Sequence, residues 1–228
     1  MYCNLESRLH KLSLIPEKCE NEEEIRNLAC EILSFASEDE RPEALLQCRN
    51  KLRKLQNEKC RKAESCQMCI LDIGKLLESI TLCADVLLSD VSKTLNYTFE
   101  RQTIGCCPSL IIDAFLNLIS NSAKFSNGGN IVISAFSKGD SEFIIVENSG
   151  YMDCSCMKSD GGIAAAAKAA KLHGGRLLYS SSGKNVKAGI SLSNKIEAKR
   201  KYEVPAFSHF LSDEFSPVYI GLSDICVK

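Results

Sequence analysis

The sequence predicts an α+β chain in which an antiparallel helical hairpin precedes a two-layer α/β sandwich. Three observations lead there. Residues 1 to about 70 show helical periodicity and almost no strand signal, while residues 70–194 alternate between helical and strand patterns. The chain has 228 residues, 45% hydrophobic and 25% charged, which is ordinary for globular proteins and disfavours disorder or fibrous repeats. At about 150 residues per domain, that length accommodates one large domain or two modest ones.

In the hairpin, Leu5, Leu9, Leu12, Pro16 and Cys19 follow one helical face. Ile25, Leu28, Ile32, Phe35 and Ala36 resume it after an acidic stretch at 20–24. The segment 37–42 breaks the helix, and its Pro42 suits the first position of the next one. Leu45, Leu46, Cys48, Leu52, Leu55 and Cys60 mark that second helix. Each helix has a single apolar stripe, so the hairpin needs another partner. A second hairpin, giving a four-helix bundle, and the domain that follows are both solutions.

The sandwich begins with an amphipathic helix at 71–88, whose apolar side holds Leu76, Leu77, Ile80, Ala84, Leu87 and Leu88. A strand at 94–99, a helix at 109–126 and strands at 131–136 and 143–146 follow, the last two joined by a turn at Gly139. Asp160 can cap a helix through the alanine run 164–167 to His173, with Gly174 and Gly175 as its stop. Segments 176–182 and 187–193 make a second hairpin. A charged connector at 195–201 leads to an apolar tail containing Phe207, Phe210, Phe215, Val218, Tyr219 and Ile220, expected to pack on the domain. The expected organisation is therefore 1–69, 70–194 and 195–228.

Charge and cysteine usage narrow the functional classes. With 28 basic and 29 acidic residues the net charge is −1, which excludes a strongly basic nucleic-acid binder. No apolar run reaches the ~18 residues of a membrane span, and the N-terminus lacks a signal peptide's basic and apolar regions. A cytoplasmic protein with no nucleic-acid or membrane partner is expected. The 13 cysteines are an odd number without a secretion signal, which points to reduced thiols. One CxxC (Cys66, Cys69) and one CxC (Cys154, Cys156) accompany only three histidines, so no zinc is expected.

Asn117, Asn121 and Lys124 recur at helical spacing on one face of an otherwise apolar helix. Asparagine is a poor helix former, so this face is either a polar site or exposed polar surface. An amide oxygen suits Mg²⁺, and a lysine supplies charge for phosphate.

The segment 117–126 resembles the N-box of the ATPase (GHKL) superfamily shared by histidine kinases, gyrase and a heat-shock chaperone. The element order over 70–194, with the helix ending in His173-Gly174-Gly175, resembles the catalytic domain of sensor histidine kinases. This resemblance implies a histidine-kinase-type ATPase fold with Mg-ATP as its cofactor. By it, Asn121 coordinates Mg²⁺, Asn117 faces the phosphates and Lys124 contacts them. Glu147 replaces the family's adenine-binding aspartate, and Gly161 and Gly162 open the helix under the phosphates. The glycine-rich motifs are degenerate, with Ser149 and Tyr151 at glycine positions and Asp160 near the phosphates. Only about eight residues, 150–157, remain for the lid over the nucleotide.

The resemblance also implies that 1–69 is a dimerisation and phosphoacceptor hairpin. It makes the chain a homodimer with His10 as phosphoacceptor and a response-regulator-like protein as partner. Lys11 stands where the family has an acidic residue after that histidine. His173 belongs to the helix cap. Two readings follow: a kinase-like protein passing a phosphoryl group from Mg-ATP through His10 to a regulator, or a scaffold or relay that dimerises and docks the regulator without ATP.

Overall fold

The computed structural model describes residues 22–150, 161–182 and 184–226. Helices α1 (Glu22–Phe35) and α2 (Arg41–Lys62) form the hairpin. Pro42 lies in the first turn of α2, where its missing N–H costs nothing. The Glu40 carboxylate accepts from the Ser37 backbone N–H at 3.1 Å and the Ser37 hydroxyl at 2.7 Å, which fixes the turn between them.

The remainder runs β1 (Cys69–Asp72), α3 (Ile73–Ser89), β2 (Thr94–Phe99), β3 (Thr103–Cys106), α4 (Pro108–Phe125), β4 (Ser126–Lys138) and β5 (Ser141–Gly150). After these come α5 (Gly162–Leu172), β6 (Leu177–Ser182), β7 (Asn185–Ser193), β8 (Arg200–Lys201), α6 (Phe207–Ser212) and α7 (Pro217–Gly221). Five strands make one sheet in the order β2-β4-β5-β7-β6, with β2 and β4 parallel and the other neighbours antiparallel. A second small sheet, β3-β1-β8, uses strands of only two to four residues, too short to show as patterns in the sequence.

Strand alternation sets the core. Ile131, Ile133 and Ala135 of β4, Ile144 and Val146 of β5, and Ala188, Ile190 and Leu192 of β7 are buried on one sheet face. The helices cover that face, as a two-layer sandwich requires. The alanine run serves packing as well as helix formation. Ala165, Ala166, Ala169 and Ala170 are fully buried, and α5 lies against both α4 and α2.

The C-terminal segment joins two cores. Val218, Leu222 and Cys226 enter the sandwich core, whereas Phe215 and Ile220 complete the hairpin core of Ile25, Ile32, Cys48 and Leu52. Polar contacts reinforce the join. Arg41 donates to both Glu214 carboxylate oxygens at 2.8 and 3.0 Å, and Arg49 donates to the Glu214 carbonyl at 2.9 Å. The Arg49 guanidinium also stacks 4.4 Å from the Tyr219 ring centroid. The hairpin's need for an apolar partner is thus partly met within one chain.

Candidate functional site

Helix α4 carries the polar face singled out in the sequence. Its first turn is capped by a neighbouring element: the Cys107 backbone N–H donates to His173 Nε2 at 2.9 Å. His173 Nδ1 then donates to the Ala169 carbonyl at 2.7 Å, so the imidazole is the neutral Nδ1–H tautomer. Burial holds this imidazole below its ordinary pKa, against the opposing hydrogen bond to Ala169. Gly174 adopts a left-handed φ of +68°, and a side chain at Gly175 would fall 1.7 Å from the Ser191 carbonyl oxygen. The His173-Gly174-Gly175 run is therefore an architectural joint between α5, the start of α4 and β7.

Along α4, Asn117 is buried, Asn121 is half-buried and Lys124, at the last turn, keeps 36% of its side chain exposed. Asn117 Nδ2 donates to Asn57 Oδ1 at 2.7 Å, and Arg53 of α2 approaches Asn117 Oδ1 at 3.5 Å. Arg53 donates to the Ser120 hydroxyl at 2.8 Å, and that hydroxyl donates to Asp224 at 3.0 Å. Asp224 closes the network with ion pairs to both Arg53 and Lys124. Burial pushes the Arg53 guanidinium down to about 10. Burial and the adjacent Arg53 charge push the Lys124 ammonium down to about 8.

Two of the groups that the resemblance directs at a nucleotide, Asn117 and Lys124, thus already have protein partners. Asp224 supplies an anion to Lys124, Ser120 and Arg53, and the Asn57 amide engages Asn117. The cavity left among Arg53, Gln56, Asn57, Asp113 and Asn117 is about 10 Å³, close to the minimum that admits one water molecule. At the start of α5, a side chain at Gly162 would fall 2.1 Å from Asn117 Oδ1, so Gly162 is required for this contact. Gly161 has open space around it. As arranged, the residues on this face do not fit Mg-ATP without displacing Arg53 and Asp224. Asn121 takes no part in the network among the described residues.

Strand β5 turns Glu147 and the residue after it to opposite faces. Glu147 pairs with Lys187 at 2.8 Å, on the sheet face away from the helices. Its neighbour Asn148 is buried on the helix side, in phase with Ile144 and Val146. Its Nδ2 has no hydrogen-bond partner among the described residues. Gly150 is also pinned, because a side chain there would fall 2.1 Å from the Phe125 carbonyl oxygen. The structure therefore brings Asn117, Lys124 and Gly162 together and leaves Glu147 apart. His10, Tyr151 and Asp160, like Cys154 and Cys156, lie outside the described residues.

Four contributors have little signal in the sequence: Arg53, Asn57, Ser120 and Asp224. Ser120 alone could have been found, because it shares the face of Asn117, Asn121 and Lys124. Among the described residues no three His, Cys, Asp or Glu side chains gather at metal-ligand distances, and no helix is long and apolar enough to cross a membrane.

No protein-family model matches the chain, and no curated protein matches it in sequence. Solved structures do match. It is similar to the Acinetobacter baumannii histidine kinase AdeS, with TM-score 0.59 and 14% identity over 86% of this chain and 95% of that one. It is also similar to full-length ShkA in complex with AMPPNP, with TM-score 0.58 and 14% identity over 78% of this chain and 47% of that one. The cytoplasmic segment of histidine kinase QseC matches at TM-score 0.50 and 17% identity over 69% of this chain and 98% of that one. The chain therefore has the fold of a histidine-kinase catalytic domain.

Proposed function

We propose that this chain is a histidine-kinase-like phosphotransfer protein of a two-component or phosphorelay system that works without ATP. In this reading it is a homodimer through the hairpin of 1–69. It accepts a phosphoryl group on His10 from a phosphorylated partner and passes it to an aspartate of a response-regulator-like protein. The observation that carries the ATP-free part is the Arg53–Ser120–Asp224–Lys124 network over Asn117. An internal carboxylate engages the cations that would otherwise meet phosphates.

The C-terminal segment supports the same reading. Autophosphorylation requires a nucleotide-bearing domain to bring its phosphate within about 3–3.5 Å of the acceptor nitrogen. Here Phe215 and Ile220 are buried in the hairpin core while Val218 and Leu222 are buried in the sandwich core. Movement of one unit against the other would break one of these two sets of contacts. Transfer from one phosphorylated protein to another needs no such movement, only an accessible histidine and a docking surface. The assignment of His10 rests on the resemblance of the hairpin.

A direct test loads the full chain with phosphoramidate, a small N-phosphoryl donor, removes the excess donor by desalting, and then adds a receiver-domain protein with Mg²⁺. The phosphoryl group is expected to move from His10 to the receiver aspartate, as read by ³¹P NMR. His10→Gln should abolish the transfer, and γ-labelled ATP with Mg²⁺ should leave the wild type unlabelled. Labelling of His10 by ATP, or transfer that survives His10→Gln, would overturn the proposal.

A further inference from the structure

Strand β4 opens on the run Ser126-Asn127-Gly128-Gly129-Asn130, which holds the one Asn-Gly step in the chain. β4 pairs with β5 at Ser126–Gly150 and next at Ile131–Asn148, so four residues of β4 stand opposite Ser149 alone. On its other side β4 meets β2 only from Asn130 onward. Residues 127–129 therefore have no register partner on either strand, and Asn127 is exposed to water.

An asparagine followed by glycine is a reactive pair. The backbone nitrogen after the asparagine can attack the side-chain amide carbon, and glycine, lacking a Cβ, leaves it free to turn onto that carbon. In helices and paired strands the ladder hydrogen bonds hold the nitrogen away. Here the Gly128 N–H has only a long bond to the Ser126 hydroxyl, at 3.3 Å. The Lys93 ammonium donates to the carbonyls of Ser126 at 3.1 Å and Gly128 at 3.0 Å. It puts a positive charge beside the nitrogen that must lose its proton to react. Asn121 and Asn148, each followed by serine, are held in the helix α4 and in the paired strand β5.

We propose that Asn127 is a self-modification site, converted with water to aspartate and isoaspartate through attack of the Gly128 nitrogen. Hydroxide removes the Gly128 N–H proton, and the nitrogen bonds to Asn127 Cγ. The Cγ–Nδ2 bond breaks, and the amide leaves as ammonia after taking a proton from water. A five-membered imide ring remains, which a further water opens. Addition at Cγ breaks the Cγ–N bond and gives aspartate. Addition at the main-chain carbonyl carbon breaks its bond to nitrogen and gives isoaspartate. In sum one water is consumed and one ammonia released, and nothing is oxidised or reduced. The product carries a new carboxylate close to Lys93, making the net charge of −1 one unit more negative. Isoaspartate also adds a methylene to the main chain where α4 passes into β4. The inference stands apart from the phosphotransfer reading and needs neither His10 nor a partner.

The test holds the full chain in mildly alkaline buffer at physiological temperature and digests samples briefly with trypsin. Asn127 falls in the peptide 125–138, together with Asn130. Mass spectrometry should show NH exchanged for O at Asn127, growing with time, faster at higher pH and ahead of every other asparagine. An isoaspartyl methyltransferase should label part of the product. Gly128→Ala should abolish the conversion over the same period. Its side chain would lie 3.1 Å from the Ser149 hydroxyl, which can rotate away. Lys93→Met should slow the conversion about fivefold, the worth of one nearby charge in water. No conversion in the folded chain, while the synthetic peptide 125–138 converts, would overturn the proposal, because the fold would then protect this step. Conversion that survives Gly128→Ala, faster conversion of another asparagine, or an unchanged or raised rate in Lys93→Met would overturn it as well.

Discussion

The two ends of α4 are built in opposite ways. Its N-terminal end borders a cavity of about 570 Å³ lined by thiols, while its polar face further along leaves only about 10 Å³ beneath Arg53 and Asn57. The resemblance places a ligand at the closed end and nothing at the open one. The difference teaches that polar residues at helical spacing announce a polar partner without saying whether that partner is a ligand or the chain itself. Here Asn117, Ser120 and Lys124 meet Asn57, Arg53 and Asp224.

The strongest way to break this contrast is to remove the central cation. Arg53→Met leaves Asp224 beside Ser120 without its buried counter-charge and is expected to cost about 3 kcal/mol. In a chain of this length that lowers Tm by roughly 6–12 °C. Because the pair acts as a unit, adding Asp224→Asn should cost clearly less than its effect alone. Strict additivity in thermal unfolding would show that the network does not act as one.

Gly162→Ala is the next largest effect. Its side chain would meet Asn117 Oδ1 at 2.1 Å, whereas Gly161 has nothing within 4 Å. Gly162→Ala should cost about 1–3 kcal/mol by overpacking, and Gly161→Ala, at an extended backbone position, should be nearly silent. Equal effects in denaturant titrations would mean that Asn117 does not abut the start of α5.

At the opposite end of α4, acid is the probe. His173 is neutral when folded, and burial holds its pKa below the ordinary value. The unfolded chain therefore binds its proton first. The histidine's contribution to stability is intact above about pH 6.5 and declines by up to about 1.4 kcal/mol per pH unit below that, until the folded pKa is reached. His173→Gln keeps an acceptor for the Cys107 N–H and should flatten this part of the stability–pH curve between pH 7 and 5. An unchanged slope would remove His173 from the account.

The smallest expected effect is at Glu147. Its pairing with Lys187 is on the partly exposed outer sheet face, so Glu147→Gln should change stability by less than about 0.5 kcal/mol. A loss comparable with that of Arg53→Met would place Glu147 in the site after all.

The same contrast shows what the sequence could convey. The sandwich was legible because periods of 2 and 3.6 residues are local properties, as in Ile131, Ile133 and Ala135 or in the α3 stripe of Leu76, Leu77 and Ile80. The N-box spacing was legible for the same reason. The plug was not. Arg53 lies 67 residues from Ser120, and Asp224 lies 104 residues beyond it, and each reads locally as a solvated polar residue. Glu147 and Asn148 differ only in strand parity, which the apolar run 143–146 left ambiguous because it is apolar on both faces. The juxtaposition of Cys69 with Cys106 was illegible because it exists only through the register of β1 against β3.

The most direct test of the central claim is a thermal shift of the wild-type chain with millimolar ATP or ADP and Mg²⁺, run beside Asn121→Ala. A nucleotide present at 100 times its Kd would stabilise the fold by about 2.7 kcal/mol, an easily measured rise in Tm. Because Asp224 already occupies Arg53, Ser120 and Lys124, no shift is expected in either protein. A rise in the wild type that disappears in Asn121→Ala would contradict the account.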